Sequence, residues 1–447
     1  MNLSKVREDF PVISEGTMDG KRLVYLDSAC QSLRPRQVVD AIGGYYNDLG
    51  SCTGLFASSN ALAARTQVLV SEARVKMARF IGADEPEVIW QPNTTYGMSL
   101  VAMSLSSRYC SPGVRMEKGD NIVTTDAEHH SGLLPFWALE REKGVHHRIF
   151  PVDSRGEIDL QKFQDFLTRR TKLISVVWAS NVTGIINPVE ALVKIAHDNG
   201  SLVLVDGAQY VPHHLVDVGA FKMDFLAFSV HKMCGPSGTG VLSGVKELLE
   251  EMPVVIVGGE TVDGLSIANG QSGPTVTPRF RGPPERFEPG LQNFAGIIGA
   301  GAAVDYLSSI GMEAVESHED SLTRLMLSKL AGVDGLEIVG PRTYETGKHA
   351  ALASFRIRDK EGNLIEGDRI ARWMDERVPG HKVLIRSGGH EAHPLLRRLG
   401  VPELSTSRAS LYLYNEDGDV RLLVDSLKEL EESGGGARNL ASRKAPA

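Results

Sequence analysis

Two apolar runs in this chain end in charge. Residues Val203–Val205 lead straight into Asp206, Gly207, Ala208 and Gln209, and Phe225–Phe228 lead into Ser229, Val230, His231 and Lys232. Short runs that are apolar at every position, with many β-branched or aromatic residues, predict strands buried on both faces, as in parallel sheets covered by helices. Glu87–Trp90, Asn121–Thr125 and Leu173–Trp178 are further short β-branched runs that predict strands. Helical patterns fall between them: residues 61–81 have amphipathic spacing, and 188–197 open on a proline, which the first helical turn tolerates. This alternation predicts an α/β fold built on a large, mostly parallel sheet. Such sheets bind ligands beyond the carboxyl ends of their strands, so Asp206 and Lys232 are expected to converge on one crevice.

A lysine and an aspartate in those places suit pyridoxal 5'-phosphate (PLP). The lysine anchors the cofactor covalently, and the carboxylate keeps the pyridine nitrogen protonated so that the ring draws electrons. Desolvation lowers a lysine pKa and favours its nucleophilic amine. The plain alternative is an ordinary buried ion pair, which is costly to keep in a core. Thr94 and Thr95 open a helical stretch that reaches about Leu105. Its first turn offers free N–H groups to a phosphate, or the threonines simply cap it. The glycines from Gly235 to Gly240 follow the lysine rather than a first strand, which argues against a dinucleotide fingerprint and a nicotinamide dehydrogenase.

From Val257 to Gly290 the chain is rich in Gly, Pro and Arg and loses its period. It is too long for a simple connector, and predicts an active-site loop or a subunit contact. A helix is expected over 295–310. Beyond it, helical patterns at Glu366–Val378 and Val420–Glu431 mix with strands at Ala351–Ile357 and Ser410–Tyr414, as in a smaller α+β domain. The expected division is residues 1–35 joining the small domain, 36–300 as the large PLP-binding domain, 301–433 as the small domain, and 434–447 as a disordered tail. With 48 basic against 56 acidic side chains and a formal net charge of -8, a nucleic-acid partner held through phosphates is not expected. No stretch approaches the roughly 18 apolar residues of a membrane span. Lys5, Arg7, Glu8 and Asp9 stand where a signal peptide carries its apolar run. The four cysteines form no C-x-x-C pair, which fits a reducing, cytoplasmic setting without a disulfide framework or zinc ribbon, and no metal is expected.

Seven motifs follow in a fixed order: Asn93-Thr-Thr-x-Gly97, Glu128-His-His130, Ser180-Asn-x-Thr-Gly184, Asp206-Gly-Ala-Gln209, Ser229-x-His-Lys232, Arg386-Ser-Gly388 and Arg408-Ala-Ser410. In these the chain, from Tyr25 to about Ser433, resembles the class V aminotransferases. They are fold-type I PLP enzymes with a large mostly parallel-sheet domain and a smaller α+β domain. It is most similar to SufS/CsdA-type cysteine desulfurases and selenocysteine lyases. The resemblance implies that Lys232 holds the cofactor and shuttles the α-proton while Asp206 pairs with the pyridine nitrogen. It also implies that His129 stacks on the ring, although a surface histidine after a strand is the alternative. Gln209 would donate to the phenolate oxygen, and Asn181 would contact that oxygen or the substrate. Thr95, Ser229 and His231, with Thr94 beside them, would cup the phosphate. Arg408 would bind the substrate carboxylate through two parallel hydrogen bonds, unless it is only an exposed salt bridge, and Arg386 would lie nearby. A homodimer acting on a small amino acid is implied, with a sulfur-acceptor protein left open.

The pattern breaks at one loop. Relatives read roughly Gly-His-His-Cys-Ala there, and the cysteine attacks the substrate sulfur and holds it as a persulfide. Here Gly388–Pro394 puts Glu391 in that place, and a carboxylate cannot carry sulfur. The expected chemistry is therefore Cα deprotonation and β-elimination with carbon–sulfur cleavage. Desulfuration through Cys52 is the alternative, with Cys30 also bordering the pocket, while epimerase or aminotransferase chemistry shares the first step. A non-catalytic PLP-binding protein is disfavoured by the absence of a DNA-binding extension. Leu291 stands where relatives place a threonine that reaches the partner's phosphate, leaving Gln292 or Asn293 for that task, and the family's His-Arg pair is missing around residues 55–59. Glu391 would act as a base, repel acidic substrates, or be an exposed glutamate on a loop.

Overall fold

A computed structural model describes residues 3–53, 60–270 and 273–433. The expected tail at 434–447 and the stretch at 55–59 lie outside them. A seven-stranded sheet runs in the order Val88–Gln91, Gly240–Gly244, Phe225–Ser229, Leu202–Asp206, Thr171–Val177, Asn121–Thr125, His146–Phe150. Only Gly240–Gly244 runs against its neighbours. The pleat explains the uninterrupted apolar runs. Val203, Val205, Leu226 and Phe228 pack with Val70, Met77 and Ile297, whereas Leu204, Phe225 and Ala227 pack with Met98, Val101 and Phe136. Alternate residues thus enter two separate cores, one on each face, so a polar residue has no place in either set.

The antiparallel strand fits tightly against the site. A Cβ at Gly240 would lie 2.7 Å from the Cα of Asn93. Asn93 in turn caps the helix Thr94–Leu105 by accepting from the N–H of Tyr96. Glycine at 240 therefore sets how closely that helix start approaches the sheet.

A second sheet, in the order Leu336–Val339, Leu352–Arg358, Thr406–Ser410, Arg386–Gly388, is antiparallel throughout. It packs with the helices Met312–Leu330, Gly367–Glu376 and Asp417–Glu432. The strand Lys21–Tyr25 pairs in parallel with His381–Leu384, and Val24 and Leu26 enter the core of this smaller part beside Phe355 and Val424.

Three sequence expectations need correction here. The period-free stretch after Val257 is a β-hairpin, Val262–Gly270 with Gly273–Phe280, whose strands pair only with each other. Its Leu265, Ile267 and Val276 are exposed, so no core imposes an alternation strong enough to show through the glycines and prolines. The strand expected at Ser410–Tyr414 is Thr406–Ser410 instead. The apolar character of 411–414 comes from burial: Tyr412 donates to the carbonyl of Pro212, and Tyr414 packs on Phe10. The helix Met312–Leu330 was not among the expected elements, because its acidic first half masks the spacing of Val315, Leu322, Met326 and Leu330.

Candidate active site

The carboxyl ends of Thr171–Val177, Leu202–Asp206 and Phe225–Ser229 open on one cavity of ≈ 560 Å³. Thr94, Thr95, His129, Asn181, Asp206, Gln209, Ser229, His231, Lys232, Arg386 and Arg408, all expected from the sequence, line it. Asp206 ends its strand and accepts from the N–H of Ala208 at 2.9 Å. Burial pushes its carboxyl up against the pull of that N–H and of Lys232. Burial also pushes the Lys232 ammonium down, opposed by Asp206. The two act on each other through their fields but form no direct ion pair, so the ordinary buried pair weighed above is not what the fold builds. An aspartate and a lysine held apart across a cavity leave room for a group that engages both.

One end of the cavity suits an anion. The start of the helix Thr94–Leu105 lies there, and hydroxyls gather around it. Ser229 Oγ accepts from the N–H of Thr94 at 2.9 Å and lies 2.6 Å from its Oγ1, while Thr95 Oγ1 lies 2.7 Å from Ser131 Oγ. His231 follows on the turn after the strand, and burial, then Lys232 and Arg34, push it down to about 4, so its ring is neutral at pH 7.

His129 is neutral as well. Burial, then Lys232 and His130, push it down to about 4, and its Nδ1 accepts from the N–H of Ser131 at 3.1 Å. The ring is thereby fixed on the cavity wall, which replaces the surface-histidine alternative. Directly before it, Glu128 is fully buried. Thr125 Oγ1 donates to its Oε1 at 2.5 Å, its Oε2 has no partner, and burial holds it at about 8, with Asp206 adding to the rise. Glu128 is therefore a neutral acid at pH 7. Gln209 donates to the carbonyl of Ala29 at 2.6 Å and Asn181 to that of His390 at 2.7 Å, so both amides are oriented by backbone.

Beside this floor stand the two arginines expected from the sequence, Arg386 and Arg408, joined by an aspartate, Asp27, that sequence reasoning missed. Asp27 takes Arg386 through its Nε at 2.9 Å and Nη2 at 2.8 Å, and Arg408 through Nη2 at 3.3 Å. Arg408 also donates to the carbonyl of Asn181 at 3.0 Å, yet its Nε is buried without a partner. At 2 % exposure it is not a surface salt bridge. A guanidinium on the wall of a cavity is a place for a carboxylate.

At the rim, His390 and Glu391 both adopt left-handed backbone, at φ 50 and 55. The N–H of His130 donates to the carbonyl of Glu391 at 2.7 Å, the Glu391 carboxylate lies 2.7 Å from His130 Nδ1, and His393 Nδ1 lies 3.1 Å from His130 Nε2. Glu391 lines the cavity but remains largely exposed, latched to the large sheet through His130. Cys30 lines the same cavity, whereas Cys52 lines a different one with Arg74 and Glu288. Asn293 caps the helix Phe294–Ile310 and donates to the carbonyl of Gly238 at 3.3 Å, and Gln292 donates to the carbonyl of Pro289, so both amides are engaged within the chain.

The donor set fits PLP: hydroxyls and a helix start at one end, a buried acid and a buried amine on the same cavity, and a neutral imidazole on its wall. Residues 24–423 match the family model for class-V aminotransferases. The chain is 37% identical over 431 residues to a Streptomyces coelicolor protein named "Probable cysteine desulfurase", covering 96% of this chain and 97% of the relative. Its fold is similar to the apo structure of a cysteine desulfurase from Thermococcus onnurineus, with TM-score 0.84, 32% identity and coverage of 96% and 97%. The cysteine desulfurase CsdA from Escherichia coli is similar at TM-score 0.81 and 31% identity, covering 96% of this chain and 98% of that one.

Proposed function

We propose that this chain, which belongs to the class-V aminotransferase family and is a PLP-dependent enzyme of its cysteine desulfurase-like group, breaks the carbon–sulfur bond of a small sulfur-containing amino acid. The single observation that carries the reading is one cavity lined together by Lys232, Asp206, His129 and the buried Arg408. When bound, PLP draws electrons from the α-carbon of an amino acid, which makes its α-proton removable and weakens the bond to a β-substituent. Lys232 would anchor the cofactor and, with its ammonium destabilised by burial, would take and return the α-proton. Asp206 would keep a proton on the cofactor's pyridine nitrogen. Thr94, Thr95, Ser229 and His231 would hold the phosphate, and His129 would pack against the ring. Gln209 and Asn181 would donate to the oxygen beside the reacting carbon. Arg408 would bind the substrate carboxylate, and Arg386 would orient Asp27. Residues 36–300 form the cofactor-holding body and 301–433 the smaller domain.

Elimination is the outcome for a site with no thiol to accept the sulfur. Cys30 on the cavity wall is the observation that favours transfer instead. We read the working form as a cytoplasmic homodimer, supported by four free cysteines and by the exposed apolar hairpin around Ile267. Sedimentation at micromolar concentration tests the dimer, and a stable, active monomer refutes it. The activity is tested by incubating the PLP-loaded protein with L-cysteine and assaying alanine, pyruvate and sulfide. Three-carbon product together with released or protein-bound sulfur supports the reading, and a transamination product with the sulfur retained overturns it.

A further inference from the structure

We propose that Ser131 is a positioning residue for the cofactor: its hydroxyl ties the His129 ring to the Thr95 end of the anion cup and helps to hold that ring with its proton on Nε2. This rests on the PLP assignment above and adds to it a residue that the motifs did not single out. Ser131 lines the same cavity as Lys232 and Asp206.

Two atoms of Ser131 meet one atom of His129. The N–H of Ser131 donates to Nδ1 at 3.1 Å, and Ser131 Oγ lies 3.0 Å from the same nitrogen. A backbone N–H can only donate, so Nδ1 is a bare acceptor. Burial, then Lys232 and His130, hold His129 at about 4, so the ring is neutral at pH 7. A neutral imidazole carries one ring proton, and here it is on Nε2. Facing a bare nitrogen, Ser131 Oγ gives its own proton to Nδ1. It therefore meets Thr95 Oγ1, 2.7 Å away, as an acceptor. The direction of the line is fixed from the histidine end: the Thr95 hydroxyl donates to the Ser131 hydroxyl, and that hydroxyl to the imidazole.

The turn that carries these residues is braced on both sides. Residues His130–Gly132 form one turn of 3-10 helix, in which the N–H of Gly132 donates to the carbonyl of His129 at 2.8 Å and that of Leu133 to the carbonyl of His130 at 3.1 Å. A Cβ at Gly132 would lie 3.2 Å from Glu128 Oε2, so the turn packs closely on the buried acid. From the rim, the carbonyl of Glu391 holds the N–H of His130. A serine that only capped such a turn would bond neighbouring backbone. Ser131 Oγ instead bonds two side chains, both of them on the cavity.

The test is read on the full chain with nitrogen-15-labelled histidine before PLP is added, the His129 signals being identified by their loss in His129→Gln. The expected spectrum has Nε2 protonated and Nδ1 bare. Ser131→Ala is expected to move the Nδ1 signal downfield, the mark of a hydrogen bond lost from a bare ring nitrogen. It is also expected to weaken PLP binding by about 2- to 10-fold in absorbance titrations, the range of one neutral hydroxyl bond. Ser131→Thr, which keeps the hydroxyl, is expected to restore both readings. Thr95→Val is expected to move the same Nδ1 signal by a smaller amount, because Thr95 polarises the Ser131 hydroxyl. A serine with a purely structural role would leave that signal unmoved. A ring protonated on Nδ1 overturns the proposal, and so does a Ser131→Ala protein that keeps the parent's thermal midpoint together with either parent reading. Where Ser131→Ala lowers the midpoint, Thr95→Val decides, and an unmoved Nδ1 signal overturns it. A parent that takes up no PLP overturns the cofactor assignment, and this role with it.

Discussion

The two sides of the cavity are built differently. Its floor comes from the ends of buried strands and from a capped helix start, where Asp206, Ser229, Lys232 and Thr94 are placed by the packing of a whole sheet. Its wall comes from the N-terminal segment and the smaller sheet, where Asp27, Arg386 and Arg408 are placed by hydrogen bonds between residues some 360 to 380 positions apart. Glu391, where the sequence breaks the pattern of the motifs, lies at the rim. A site divided in this way can keep its cofactor chemistry constant while the handling of the substrate changes.

Four substitutions probe that contrast, in order of falling effect. Lys232→Ala is expected to remove turnover by about 10²–10⁴-fold from the lost proton transfer alone. Borohydride reduction of the PLP-loaded parent, followed by peptide mapping, is expected to label Lys232 and no other lysine. A label elsewhere breaks the account of the floor.

Glu128→Gln tests the floor through stability. The folded-state value of about 8 lies above the ordinary 4.5, so the folded protein retains a proton that the unfolded chain releases between these values. Stability from this group is full below about 4.5 and is lost as pH rises toward 8. The parent is thus expected to lose ground to Glu128→Gln over that window, by on the order of a few kcal/mol. Thermal midpoints of both proteins measured across that range read the difference, and parallel curves sink it.

Arg408→Lys, on the wall, is expected to raise KM for the amino acid about 10- to 100-fold, since a point-charge ammonium loses a charge-assisted bond worth roughly 1.5–3 kcal/mol. PLP affinity should hold. Equal loss of both would make Arg408 part of the floor. Glu391→Gln is expected to change turnover by less than about fivefold, because exposed ion pairs contribute about 0.2–1 kcal/mol. A loss as large as that of Lys232→Ala would give the rim carboxylate a chemical role and erase the contrast.

The same division decided what the sequence could reveal. Strands 121–125 and 202–206 were legible to the residue because both are short runs, rich in β-branched residues, that the sheet buries. The hairpin at Val262–Phe280 was hidden, since a ribbon exposed on both sides needs no consistent alternation. Thr94 and Lys232 announce themselves by their place at the ends of elements. Asp27 does not, because its meaning lies in Arg386 and Arg408, far along the chain. The link from Glu391 to His130 and His393 spans a similar gap, and only the closed fold brings the three together.

Asp27 has one more consequence, seen by counting charges. It is a single anion shared between two guanidiniums, so the wall carries one unit of uncompensated positive charge. One added carboxylate brings that wall to neutrality, and a second would have no cation left to meet it. Monocarboxylic amino acids are thereby admitted in preference to dicarboxylic ones. Small monovalent anions become natural competitors, with a potency that fades as added salt screens the approach.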